Sequence, residues 1–299
     1  MCLPVPFSGV LIFMNRKSKK HILKKILLWS GLVIAMFIVL STLFFYSVKE
    51  GFFGPVPTYA ELEKIRQNTT PRVMSADGKL LGLYYYQNRT NANIKDIPQS
   101  FIDALIATED VRFYEHKGFD VRSFFRVLVK SILLFDRSAG GGSTITQQLA
   151  KNLFPRQDLS LASLPLAKVK EIITARRIEI IYSKEEILEL YLNTVPFGEN
   201  TYGIETAAMT YFSKEPSELN LEESAMLVGL LKANTGYNPR VNKEAALNRR
   251  NTVLAQMAKY DYIDDAKADS LQELPLEIRF TKLDHIQGPA PYFREFLRK

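Results

Sequence analysis

"ATEDVRFYEHKGFD", residues 107–120, carries seven ionisable side chains and three aromatics, and it follows directly on an apolar helical pattern. In that pattern Phe101, Leu105 and Thr108/Glu109 recur on one face, with Ile102 and Ile106 beside them. Two readings of the junction are open. A helix end dissolving into solvent is the plain one. A carboxylate held at the rim of a cleft is the other. If the helix continues, Phe113 and His116 fall four and seven positions beyond Glu109, on its face.

The surroundings bear on the choice. "DVRSFFRVLVKSILLFDR" (120–137) places Arg122, Arg126 and Lys130 in one basic stripe, with Phe124, Phe125, Leu128, Ile132 and Phe135 around much of the rest. Such a helix lies at a membrane interface with its cations toward lipid phosphates, or else faces a core with a solvated basic edge. "AGGGSTITQQLAKNLF" (139–154) is a glycine run before a helix start, with Ser143 or Thr144 as N-cap and Thr144 with Gln147 as a capping box. Free N–H groups at that start attract an anion, and Gln148 and Lys151 share a face. The Walker pattern is absent, which argues against nucleotide hydrolysis. "LAKVKEIITARRIEIIY" (166–182) and "SKEEILELYLN" (183–193) follow, the second capped by Ser183 with Glu186. Lys168 and Glu171 share a face of the first, and spacing alone favours a surface ion pair. "GIETAAMTYF" (203–212), "LNLEESAMLVGLLKA" (219–233) and "EAALNRRNTVLAQMAKY" (244–260) read as further helices, and "PRVMSADGKLLGLYYYQNRTNANI" (71–94) as a β-hairpin about Asp77-Gly78.

Across 299 residues the formal charge is +7, which suggests an anionic partner. Cys2 is the single cysteine, and His21, His116 and His285 lie far apart, so no metal site is expected. "ILLWSGLVIAMFIVLSTLFFYSV", Ile26–Val48, is uncharged and longer than the roughly 20 residues a bilayer-crossing helix needs. Arg16, Lys17, Lys19, Lys20, Lys24 and Lys25 precede it, while Lys49 beside Glu50 follows. The charge bias puts the N-terminus in the cytoplasm and the remainder outside. The length favours an uncleaved anchor over a signal peptide. Met14, just before the basic cluster, is an alternative start. "GFFGPVPTY" (51–59) reads as the linker leaving the membrane.

Taken in order, "EDVRFYEHKG", "GGSTITQQLAKN", "KVKE", "KEEILELYLN" and "RRNTVLAQM" resemble the five motifs of peptidoglycan glycosyltransferases, the glycan-polymerising domains of class A penicillin-binding proteins. The resemblance spans about Thr70 to Lys259. It implies a mainly α, lysozyme-like glycosyltransferase with a head lobe and a membrane-associated jaw, behind a small N-terminal β-hairpin and one transmembrane helix. The corresponding segments are a cytoplasmic tail (1–25), an anchor (26–48), a linker (49–69), the catalytic domain (70–260) and an extension (261–299) toward a transpeptidase domain. No S-x-x-K or K-T-G is present, so the chain is expected to be the N-terminal portion of a bifunctional protein.

The resemblance implies lipid II and a growing glycan strand as substrates. Catalytic roles fall to Glu109, as the general base, and to Glu171, near the leaving pyrophosphate. Lys151 and Lys168 would stabilise that pyrophosphate, with His116, Ser143, Gln147 and Gln148 binding substrate. Tyr191 and Asn193 would hold helices together. No cofactor is required; a divalent cation, Mg2+ or Mn2+, is the one candidate assistant at the pyrophosphate. Membrane lipids and other cell-wall synthesis proteins are the implied partners, at the inner (cytoplasmic) membrane. Nucleic acid is excluded by a basic domain placed outside the cytoplasm. One departure from the pattern stands out. Ala167 precedes Lys168 where Arg is usual, and whether Arg156 compensates is left open. A catalytically weak scaffold, or a lysozyme-like hydrolase using the same glutamate, are the competing readings.

Overall fold

The computed structural model describes residues 16–67, 72–74, 80–83, 92–133, 141–156 and 163–281. They form two units, one ending at Pro55 and one beginning at Val56.

The first unit is built on α1 (Arg16–Lys49), in which Lys24–Lys49 is long and apolar enough to cross a membrane. Three of its hydroxyls are satisfied within the helix, as hydrocarbon would demand: Ser30, Thr42 and Ser47 donate to the carbonyls of Leu27, Ile38 and Leu43. The helix starts earlier than the uncharged run because nothing in "RKSKKHILKK" breaks it. Gly51 and Gly54, both at positive φ, end it in a turn.

The second unit contains α2 (Tyr59–Glu63), a ribbon of β1 (Arg72–Met74) and β2 (Leu80–Leu83), α3 (Gln99–Glu109), α4 (Val121–Leu133) and α5 (Ile145–Leu153). It continues with α6 (Leu164–Ile181), α7 (Lys184–Thr194), a second ribbon of β3 (Pro196–Gly198) and β4 (Thr201–Tyr202), α8 (Ile204–Phe212), α9 (Leu221–Leu230), α10 (Lys243–Lys259) and α11 (Asp265–Glu273). The expected hairpin is antiparallel, pairing Arg72 with Leu83 and Val73 with Gly82; its Asp77-Gly78 turn lies outside the described residues. The linker expected over 49–69 is shorter. From Val56 the chain is packed, with Leu62 fully buried, the Tyr182 hydroxyl donating to the Leu62 carbonyl (2.6 Å) and Arg177 to that of Pro57 (2.6 Å).

The core explains why α9 is apolar beyond its first turn and why α3 keeps polar residues only at its edges. Phe101, Ala104 and Leu105 of α3, and Ala225, Leu227, Val228 and Leu230 of α9, are fully buried where α3, α9 and α10 pack together. Each large apolar side chain there contributes about 1.5–3 kcal/mol by leaving water. Around this centre α5 lies across α6 and α7. After α11 the chain turns back: Arg279 and Thr281 donate their N–H groups to the carbonyls of Tyr211 and Thr210. The buried Arg250 guanidinium holds the carbonyls of Gln272, Leu274 and Pro275. The extension expected over 261–299 therefore folds onto the domain at least as far as Thr281.

The helix carrying Glu109 does not continue; it stops there, with Asp110 at φ −157° and ψ 70°. Asp110 is drawn out of helical geometry because its carboxylate accepts the Ile145 N–H and bonds His116. Phe113 consequently packs in the core rather than on the face of Glu109.

Candidate active site

Glu109 ends α3 where α5 and α10 converge. Gln148 of α5 donates Nε2–H to Glu109 Oε2 (2.9 Å), and Arg249 of α10 stands 3.6 Å from Oε1. Both helpers are themselves held. The Tyr191 hydroxyl donates to Gln148 Oε1 (3.0 Å), while Arg249 donates to the Gly229 carbonyl and lies over the Tyr237 ring. Burial lowers the Arg249 pKa, and the Glu109 charge pulls it back upward. The Glu109 side chain is 16% exposed: reachable, yet mostly withdrawn from water.

The loop after Glu109 is the scaffold for this arrangement. Gly118 N–H donates to His116 Nδ1, so the ring proton sits on Nε2 and is donated to Asp110 (2.9 Å). The Gly118 carbonyl accepts from Thr144 Oγ1 (2.8 Å) and Gln147 Nε2 (3.2 Å), tying the loop to the first turn of α5. Gly118 has φ +85°, and a Cβ there would stand 2.9 Å from the Ala175 backbone. Lys184 completes the tie, donating to the His116 carbonyl and to Glu179 (2.8 Å each) while lying over the Phe113 ring.

His116 and Gln147, expected to bind substrate, are placed within this scaffold. The His116 side chain is 7% exposed and Gln147 is 1% exposed, and the polar contacts they make are to Asp110 and Gly118. The capping box expected at α5 is also half-made. Thr144 caps the Gln147 N–H, but the Gln147 side chain reaches to Gly118 instead of returning to the cap.

A second cluster lies at the start of α6. Glu171 is 8% exposed, so a solvated surface pair is ruled out. Its Oε1 accepts from Arg156 Nε and Nη2 (3.0 and 2.8 Å), and its Oε2 from Lys168 (3.2 Å). Lys168 also donates to Ser143 Oγ (2.7 Å), at the entrance to α5. Burial lowers the Lys168 pKa; Glu171 opposes this, while Arg156 and the exposed Lys151 add to it. Cations outnumber the carboxylate three to one, which leaves the cluster with a local excess of positive charge. Gln148 and Lys151 are one turn apart on α5, so the Glu109 and Glu171 clusters flank the same helix face.

Gln148 thus meets Glu109, while Ser143, Lys168 and Glu171 join in the second cluster with Lys151 near Lys168. Tyr191 and Asn193 join elements, Asn193 by bonding both the N–H and the carbonyl of Ala92. Asp110 and Arg249 were missed as site-builders. In "RRNTVLAQM" adjacent arginines point to different sides of α10, and sequence alone does not say which one meets the carboxylate. Two surface cavities, of about 330 and 220 Å³, lie along the strap after α11 and include none of these residues.

Comparison with known proteins places this arrangement. The family model described as transglycosylase matches residues 77–258, well over half the chain. Penicillin-binding protein 1A of Vibrio cholerae serotype O1 is 38% identical over 276 residues, covering 92% of this chain and 32% of the relative. The protein of the same name from Escherichia coli K12 is 38% identical, covering 82% and 28%. Penicillin-binding protein 1F of Bacillus subtilis is 36% identical, covering 79% and 32%. A crystal structure of penicillin-binding protein 1A from Haemophilus influenzae aligns with TM-score 0.40 and 27% identity, covering 76% of this chain and 23% of that one. The chain spans about a third of the length of the curated relatives it matches. It belongs to the transglycosylase family and carries the glycosyltransferase domain of class A penicillin-binding proteins.

Proposed function

We propose that this chain polymerises lipid II into β-1,4-linked glycan strands, inverting the donor's anomeric configuration and releasing undecaprenyl pyrophosphate. The observation that carries the reading is a part-exposed carboxylate, Glu109, on the same face of α5 as a cation-rich cluster. In the reaction the acceptor's 4-hydroxyl attacks the donor's anomeric carbon. Glu109 takes the hydroxyl proton as that bond forms and the bond to pyrophosphate breaks. The leaving group carries away the bonding electron pair, and Lys168, Lys151 and Arg156 offset its growing negative charge. Glu171 keeps Lys168 and Arg156 aimed while the site is empty of phosphate.

Arg156 supplies a guanidinium to this cluster although Ala167 carries none. Among the described residues no group of three His, Cys, Asp or Glu side chains is placed to hold a metal ion. Both Glu171 oxygens accept bonds from cations, a donor set that suits an anion better than a resident divalent cation. Any Mg2+ or Mn2+ would then arrive on the pyrophosphate oxygens.

The setting fits a lipid-held substrate. On α4, Val121, Phe124, Phe125 and Val129 are exposed beside exposed Arg122 and Arg126, a composition suited to the interface of a membrane and to the jaw implied by the sequence. We place the anchor in the inner (cytoplasmic) membrane with the N-terminus inside, and membrane lipids and other cell-wall synthesis proteins among its partners. The test is incubation of the detergent-solubilised chain with labelled lipid II. Long glycan is expected; cleavage of preformed glycan to muropeptides, without polymer, would replace this reading by a hydrolase.

A further inference from the structure

We propose that Tyr191 is a positioning residue for Glu109, acting through the side-chain amide of Gln148; this rests on the reading of Glu109 as the base. The geometry is a directed chain. Tyr191 O–H donates to Gln148 Oε1 at 3.0 Å, and Gln148 Nε2–H donates to Glu109 Oε2 at 2.9 Å. An ionised carboxylate only accepts hydrogen bonds, so the amide must turn its NH2 toward Glu109. That leaves its oxygen facing Tyr191, which must then donate. Both bonds point the same way, and each polarises the next toward the carboxylate.

Tyr191 is suited to this task because it has no exposure and keeps its proton. Burial first, and the nearby Glu109 charge second, raise its pKa well above the ordinary tyrosine value. The other carboxylate oxygen has a looser partner, Arg249 at 3.6 Å, so the amide is the closer fix on the carboxylate's orientation. Without the hydroxyl, Gln148 Oε1 loses its donor and the amide is free to turn away. The carboxylate would then be presented to the acceptor hydroxyl in a spread of orientations, and misplacement of a reacting group costs rate. Buried Tyr191 offers no surface to substrate, so affinity should be untouched.

The experiment is a double-mutant cycle on the full chain in detergent, reading lipid II polymerisation, with melting temperature measured for every variant. Tyr191→Phe keeps the ring and removes only the hydroxyl. The expected result is a roughly 10-fold lower kcat, an unchanged KM for lipid II and no further loss when added to Gln148→Met. An equal loss in both backgrounds, a loss carried by KM, or a kcat equal to the parent's would overturn the relay. An inactive parent would instead sink the glycosyltransferase reading. The relay is then judged on melting alone: Tyr191→Phe should lower the midpoint less in Glu109→Gln than in the parent, and equal losses would overturn it.

Discussion

Replacing Gly118 by alanine tests how tightly the loop after Glu109 is clamped. Two costs add. The residue sits at φ +85°, where a Cβ costs about 1 kcal/mol or somewhat more. The new Cβ would also meet Ala175 C and O at 2.9 Å and Arg176 N at 3.1 Å, all backbone atoms of α6 that no rotamer change can move. Overpacking of that kind costs about 1–3 kcal/mol, for a sum of about 2–4 kcal/mol out of a typical total of about 5–15. Gly203 is the internal comparison. It has φ +84° and ψ 155°, a backbone that essentially only glycine adopts, at a cost of about 1–3 kcal/mol, while its nearest obstacle, the Asn193 carbonyl oxygen, is 3.3 Å away; Gly203→Ala therefore tests backbone strain with little overpacking. Urea unfolding of the detergent-solubilised chain, compared at constant m, reads both. Because the Gly118 carbonyl anchors Thr144 and Gln147, polymerisation should fall more steeply than stability. A Gly118→Ala midpoint equal to the parent's would refute the close approach to α6.

Arg156→Ala should lower kcat for lipid II by about 10-fold or more while leaving Gln148 and Glu109 in place; full activity would mean that Lys151 and Lys168 suffice for the pyrophosphate. Acid should expose the Arg112–Asp120 pair. Burial alone would raise the Asp120 carboxyl, but hydrogen bonds from Arg112 and Ser123 and the Arg112 charge outweigh it and bring its pKa to about 2. A folded pKa below the unfolded value of about 3.9 means stability that is complete above pH ~4 and lost as pH falls toward ~2. In Arg112→Ala that contribution should already be missing at neutral pH, and its unfolding midpoint should fall less between pH 4 and 2 than the parent's. Phe124→Ser with Phe125→Ser should weaken flotation of residues 56–299 with anionic liposomes without changing the melting temperature; undiminished flotation would remove α4 from the membrane contact.

The sequence was legible where one local rule governs. Ser183 with Glu186 caps α7 as its spacing predicts, and the uncharged run after six basic residues forms a helix long enough to span a bilayer. It was not legible where a long-range contact wins. His116 seven residues beyond Glu109 looks like a face neighbour only if the helix persists, and the Ile145 N–H thirty-five residues onward breaks that helix by claiming Asp110. Gln147 reads as a capping-box partner until the Gly118 carbonyl takes its amide. The short β3–β4 ribbon was missed because Glu199 and Asn200 turn at positive φ without the glycine that usually signals such a turn. Glu171 resembled a surface ion pair because periodicity does not say what Arg156, fifteen residues earlier, will cover.

The central claim is that Glu109 takes the proton, and polymerisation of labelled lipid II by the parent and by Glu109→Gln tests it directly. Glutamine keeps the size and the contact with Gln148 or Arg249 but accepts no proton from a sugar hydroxyl. The account predicts long glycan from the parent and a rate about 10²- to 10⁴-fold lower from the variant, at an unchanged melting temperature. Equal polymer from both would contradict it and transfer the base role to another carboxylate, with Glu171 the first to examine.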